Sequence, residues 1–301
     1  MSYLVSPAPH RLTRTSANDM FMYVSIAALS CLSYGFFAYG IKALIVLLTC
    51  TLTCVILEFG IQSIKNSKPG ISDYSCFVTG LILACVMPIN MPWYVGMIAA
   101  VIAVFSKYLF GGLGNNIFNP SALARSIVGV MVSGFSFDLY NGETALNSIL
   151  SGNSANIALN ELMLGKTPGA IGTTCIAFIL IFAVILIVFK VIRWENVLCA
   201  AVGFVIIIWT QMGYESIIPM LCSGSFIFVT VFMLSDPTTS PYGFTTRCIY
   251  AFSFGIIAAL MMSHNVFGET AVFLALLVAN FIAPALDKVF SVFHRGVRKH
   301  D

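Results

Sequence analysis

The residues of this chain able to do chemistry are few, and they sit in short polar islands. One island, Asp138-Leu-Tyr-Asn-Gly142-Glu-Thr144-Ala-Leu146, sets a threonine hydroxyl beside a glycine. An activated hydroxyl is a nucleophile, so Thr144 could carry a covalently attached group. Gly142 would let a modifying enzyme grip an otherwise crowded backbone. The plainer alternative is a surface turn at Asn141-Gly142-Glu143, with Thr144 beginning a short helix.

A second island, Gly111-Gly112-Leu-Gly114-Asn115-Asn116-Ile-Phe-Asn119-Pro120, leads into an apolar run. Glycine-rich turns at helix starts let backbone N–H groups approach an anion or cofactor, although close helix packing and proline capping explain the same spacing. The third island, Asp236-Pro237-Thr238-Thr239-Ser240-Pro241, gathers hydroxyls around one carboxylate, and its prolines forbid a regular helix. Arg125 lies inside an apolar run, where a cation needs a partner: an anion, a carboxylate or helix carbonyls. Glu58, Asp73, Asp236 and Glu269 are the acidic residues near such runs, each expected to serve in structural pairing before any cation path. The nine cysteines are scattered without close CxxC pairs; Cys50 and Cys54, one helical turn apart, read as core packing.

What must position these residues is set by composition. With 59% apolar and 9% charged residues, and a mean hydropathy of +0.95, the chain belongs in a bilayer. Apolar runs near 20–40, 41–63, 73–89, 92–110, 118–136, 170–190, 194–212, 217–235, 246–263 and 269–287 predict about ten transmembrane helices. They are continuous where barrel strands would alternate, so the expected fold is an all-α polytopic membrane protein. It forms one integral membrane domain over 1–301, with short tails at both ends.

Arg11, Arg14, Lys65, Lys68, Lys107, Lys190, Arg193, Arg247, Lys288, Arg295, Arg298 and Lys299 fall on alternate connections, whereas the others carry little beyond Lys42 and Lys166. This asymmetry places both termini in the cytoplasm and the 137–167 loop, with Thr144, outside. No removable signal peptide is read at the start. A net charge of +3 does not suggest nucleic acid, and the basic C-terminal tail reads as a lipid-facing anchor.

Two segments echo. Phe77-Val78-Thr79, running on to Met87-Pro88, returns as Phe228-Val229-Thr230, running on to Asp236-Pro237. Asn116 to Ala122 returns as Asn265-Val266-Phe267-Gly268-Glu269-Thr270-Ala271. Five spans per unit would make the repeats inverted, about 20–136 and about 168–288, with a ligand or ion path expected at their interface.

The ordered set Gly111–Pro120, Gly165-Lys-Thr-Pro168-Gly169-Ala-Ile-Gly172 and Ser235–Pro241 resembles the NqrB/RnfD family of membrane flavoproteins over most of the chain. The short segment before the first span resembles its RnfD branch, which serves the ion-translocating ferredoxin:NAD oxidoreductase, or Rnf, complex of the prokaryotic cytoplasmic membrane. The resemblance implies FMN esterified through its phosphate to an extracytoplasmic threonine, within a pattern matched here by Asp138, Gly142 and Thr144. Asn141 and Glu143 depart from that pattern. The resemblance also allows a second, noncovalent flavin such as riboflavin. Arg125, Gly112, Gly114, Asn116, Asn119, Asp236 and Thr238 are candidates for the flavin environment.

No GxGxxG after a strand and no cysteine-ligated iron–sulfur pattern occurs, so this chain would be one component of a complex and not a complete enzyme. The implied partners are soluble iron–sulfur and NAD-site subunits, a second FMN-bearing subunit, further membrane subunits, a flavin transferase for maturation, and lipid. The competing expectation is a stand-alone small-solute channel or transporter, since five-plus-five inverted repeats also build ammonium and urea channels. The paired pore histidines of an ammonium channel are missing.

Overall fold

A computed structural model describes residues 17–64, 74–109, 116–133, 139–152 and 158–297. Asp73, Gly112, Gly114 and Asp138 lie outside the described residues. The described residues form helices with no named strand. These are α1 (Ala17–Tyr39), α2 (Ile41–Ile64), α3 (Ser75–Val86), α4 (Trp93–Leu109), α5 (Pro120–Ser133), α6 (Ala145–Leu150) and α7 (Leu159–Leu164), followed by α8 (Ile176–Val188), α9 (Trp194–Met212), α10 (Ile217–Cys222), α11 (Phe226–Phe232), α12 (Phe244–Ser263) and α13 (Ala271–Val297).

Every apolar run read from the sequence contains a helix, but the helices differ in reach. Five are long and apolar enough to cross a bilayer: Asn18–Tyr39, Ile41–Ile64, Trp194–Met212, Phe244–Ser263 and Gly268–Phe290. A sixth candidate is the pair Tyr214–Cys222 and Phe226–Phe232, bent by 59°. The protein is thus a multi-pass helical membrane protein. Helices α3, α4, α5 and α8 are shorter than their runs because part of each run is non-helical chain. At 87–92 and 170–175, for example, Ile171 N–H donates to the Met87 carbonyl and Gly172 N–H to that of Cys85. Cross-segment pairing of this kind satisfies backbone that would otherwise be unpaired in a dry interior.

Packing is pairwise and doubled. Helix α2 packs on α3 and α4, α4 on α5, and both α1 and α5 on α3. In the second half, α9 packs on α12, α12 on α13, and both α8 and α13 on α11. The halves meet through α5 against α13 and α1 against α8. The closest approach is between α9 and α12: a Cβ at Gly255 would land on the Ala200 carbonyl oxygen, and one at Gly203 on that of Phe252. Small residues let helix backbones meet in this way within membranes. Gly255→Ala should therefore lower stability by about 1–3 kcal/mol through overpacking, measured as reduced resistance to unfolding in detergent.

Among the described residues two buried ion pairs brace the bundle. Lys107 Nζ lies 2.8 Å from Glu58 Oε1 and joins α4 to α2. Arg247 Nη2 lies 2.9 Å from Glu195 Oε1 and joins α12 to α9. Lys107 and Arg247, read from the sequence as charges on connections, are instead inside helices and buried. In each pair the carboxylate on the facing helix compensates the cation for its loss of water. Cys50 and Cys54 are fully buried free thiols in the core, as expected.

Candidate functional site

The polar islands converge on two cavities at opposite ends of α5, whose 14 residues span ~20 Å at the helical rise. The first, of about 310 Å³, is lined by Asn116, Asn119, Ser121, Lys107, Asp236 and Thr238 among others. Asn119 caps α5, its Oδ1 accepting from Ala122 N–H at 3.2 Å, with Pro120 at the first helical position where no N–H is needed. Its Nδ2 donates to Asp236 Oδ2 at 3.3 Å. Asp236 Oδ1 accepts from the Thr238 N–H at 3.0 Å and the Thr238 hydroxyl at 2.9 Å. The glycine-rich and proline-rich islands thus meet, one from each half of the chain.

Burial pushes the Asp236 carboxyl above its ordinary range, against the opposing pull of the Thr238 hydrogen bonds and Lys107. Below about pH 4, the ordinary aspartate range, the folded and unfolded chains both hold this proton. Above it the unfolded chain releases the proton first, so this contribution to stability falls as pH rises through the raised value. Asp236→Asn should flatten that decline in a comparison of unfolding against pH.

The second cavity, of about 330 Å³, is lined by Thr144, Arg125, Tyr140, Asn147, Asn265, Glu269 and Thr270 among others. Thr144 is the N-cap of α6, its Oγ1 accepting from Asn147 N–H at 3.4 Å. The plainer sequence reading, a turn with Thr144 opening a short helix, is therefore correct as geometry. It does not exclude chemistry, because the same hydroxyl faces the cavity. The turn needs its residues: Asn141 has φ 61° and Gly142 φ 128°, a region costly for most side chains. Asn141 Oδ1 also accepts from Asn90 Nδ2 at 2.6 Å, and Asn90 Oδ1 accepts from Lys42 Nζ at 3.1 Å. Glu143 is exposed and accepts from the Ser151 hydroxyl at 3.5 Å. Both departures from the family pattern thus have local structural roles.

Arg125 is 2% exposed. Its Nε donates to the Val86 carbonyl at 2.9 Å, Nη1 to Thr270 Oγ1 at 3.4 Å and Nη2 to the Tyr140 hydroxyl at 2.8 Å. The guanidinium also lies 5.3 Å from the Phe273 ring centroid. All these partners are neutral, and neither ion pair of the described residues includes Arg125. Of the partners considered from sequence, a helix-end carbonyl takes a hydrogen bond, and the Glu269 carboxylate acts on Arg125 electrostatically from the same cavity. Burial pushes the Tyr140 phenol up to about 12, against the pull of Arg125, so it stays a neutral donor to any anion in the cavity.

The sequence-predicted residues accordingly divide. Thr144 and Arg125 share one cavity, with Gly142 shaping the turn beside it; Asn116, Asn119, Asp236 and Thr238 line the other. Tyr140, Asn265 and Thr270 were not singled out for the site, although the echo over 265–271 contained two of them.

The helices and the two polar cavities between them define a multi-pass helical membrane protein. More particularly, the chain belongs to the NQR2, RnfD, RnfE family, whose model matches residues 4–294. It is 28% identical to the D component of the proton-translocating ferredoxin:NAD(+) oxidoreductase complex of Clostridium ljungdahlii, over 99% of this chain and 97% of that one. It is 27% identical to the Na(+)-translocating counterpart from Acetobacterium woodii, with the same coverage. The B component of the Na(+)-translocating NADH-quinone reductase of Chromohalobacter salexigens is 30% identical over 71% of this chain and 57% of its own length.

Proposed function

We propose that this chain is the D component of an Rnf-type ferredoxin:NAD oxidoreductase in the prokaryotic cytoplasmic membrane, and that it carries FMN as a phosphoester on Thr144. The observation that carries this reading is the shared cavity of the Thr144 hydroxyl and Arg125, a buried cation hydrogen-bonded only to neutral groups. A phosphodiester on Thr144 would supply the anion those hydrogen bonds lack, with Tyr140 and Asn265 as further donors. When bound, the flavin supplies electron transfer between partner cofactors; the protein's part is to hold and orient it and to set the local field. Arg125, anchored to the end of α3 through Val86 and to the start of α13 through Thr270, is placed to do so.

In this reading the chain crosses the membrane ten times as two inverted five-helix units, with both termini cytoplasmic and Thr144 outside. The doubled packing supports it. So does the division of one echoed pair between the cavities: Asn116, Asn119 and Ser121 line the first, and Asn265, Glu269 and Thr270 the second. The first cavity is the candidate for a noncovalent flavin such as riboflavin, with Asn116, Asn119, Asp236 and Thr238 as its polar lining. Electron passage is coupled to movement of Na+ or H+, and the other Rnf subunits and a flavin transferase are the partners. The channel alternative draws no support from the relatives described. The test is the full chain made with and without a flavin transferase: covalent flavin by intact mass and in-gel fluorescence is expected only with it. No covalent flavin in either sample would overturn the assignment.

A further inference from the structure

Among the described residues the second cavity holds four hydroxyls, not one. Ser133 donates to the Val130 carbonyl at 2.7 Å. The oxygens of Thr270 and Tyr140 each accept from Arg125. Thr144 differs from all three in its setting: it opens α6, the helix that the turn carrying the cavity's one lining carboxylate, Glu269, packs against. Glu269 comes from the second half of the chain, in the Gly268–Thr270 turn that opens α13 and packs against α6. Gly224, at the break between α10 and α11, leaves room for its Oε2: a Cβ there would stand 3.0 Å from that oxygen.

We propose that Glu269 selects Thr144 for esterification by accepting its proton. This rests on the reading of Thr144 as the flavin-bearing residue. The co-reactant is a flavin dinucleotide presented by the transferase. Thr144 Oγ1 forms a bond to the flavin-side phosphorus, the phosphorus–oxygen bond to the adenylate breaks, and AMP leaves with the electron pair; nothing is oxidised or reduced. The hydroxyl proton goes to the Glu269 carboxylate. The charge balance follows from the same transfer. Glu269 becomes neutral as an anionic phosphodiester appears beside it, and Arg125 is left facing the new anion. The hydrogen bonds of Ser133, Tyr140 and Thr270 described above include no carboxylate to take a proton.

The experiment is in vitro transfer to the purified full chain in detergent, with a flavin transferase and FAD, following the initial rate of covalent incorporation against pH. Glu269→Gln should slow the rate by about 100-fold or more, the usual span of general-base assistance, and should remove the rising limb of the pH profile. Glu269→Asp should recover part of the rate. Gly224→Ala, which keeps the carboxylate but displaces it, should also slow transfer and remains informative if Glu269→Gln fails to fold. Transfer to Glu269→Gln at the wild-type rate, with an unchanged pH profile, would overturn the proposal. Thr144→Ala separates the two readings: covalent flavin on that variant defeats the Thr144 assignment itself, whereas its loss together with normal transfer to Glu269→Gln defeats only the role of Glu269.

Discussion

Thr144→Ala is expected to abolish covalent flavin while leaving the fold in place. The lost side-chain cap on α6 should cost about 1 kcal/mol, because one helix N–H loses its acceptor. A six-residue helix at the edge of the bundle does not hold the long helices together. Fluorescence on a denaturing gel should therefore disappear, and intact mass should report the unmodified chain, at nearly wild-type yield. Thr144→Ser keeps the hydroxyl and the cap and should retain flavin. If Thr144→Ala still carries covalent flavin, Ser133 and Thr270 are the next hydroxyls to examine, since both line the same cavity.

The second large effect concerns stability. Lys107→Met should strand the Glu58 carboxylate, whose two oxygens accept from Lys107 Nζ at 2.8 and 3.0 Å in a setting almost without water. Breaking a buried pair from one side costs about 3–5 kcal/mol, far more than a surface pair is worth. The double variant Glu58→Met with Lys107→Met should recover most of the loss, because two apolar side chains need no compensation. Unfolding in detergent of the two single variants and the double variant measures the coupling. A double variant no more stable than Lys107→Met alone would mean that packing, not charge, sets the cost.

The ion pair also shows what sequence could not tell. A lysine near the end of an apolar run reads as an anchor whose head reaches water. Its partner is 49 residues away on another helix, and no local pattern links them. The same reasoning miscast Arg247, whose partner Glu195 is 52 residues away. The helices themselves were legible because a bilayer demands long apolar runs, and Thr144 and Asp236 were legible because polar islands in such a chain are rare. Helix length was less so: the apolar runs carry on into 87–89 and 170–175, where backbone bonds run across segments and not along a helix. The candidate site was legible as a set but not as two sets. Spacing shows Asn119 and Arg125 within two turns of one another, but not that they serve opposite ends of α5. Glu269 stood out as an acid; only folding brings it across 125 positions to Thr144.

The two buried ion pairs of the described residues lie at the Asp236 end of the molecule. Lys107 lines the cavity beside Asp236, and Arg247 donates to the Tyr242 carbonyl at 2.5 Å, in the connection that follows it. Among the described residues the Thr144 end has no such pair and is laced by single hydrogen bonds, each a modest net contribution. The bundle is therefore bound like a book, with a stiff spine at one end and loose leaves at the other. Thr144 is 2% exposed when the leaves are shut; brief opening at that margin is the expected way for it to be reached, and the spine need not part.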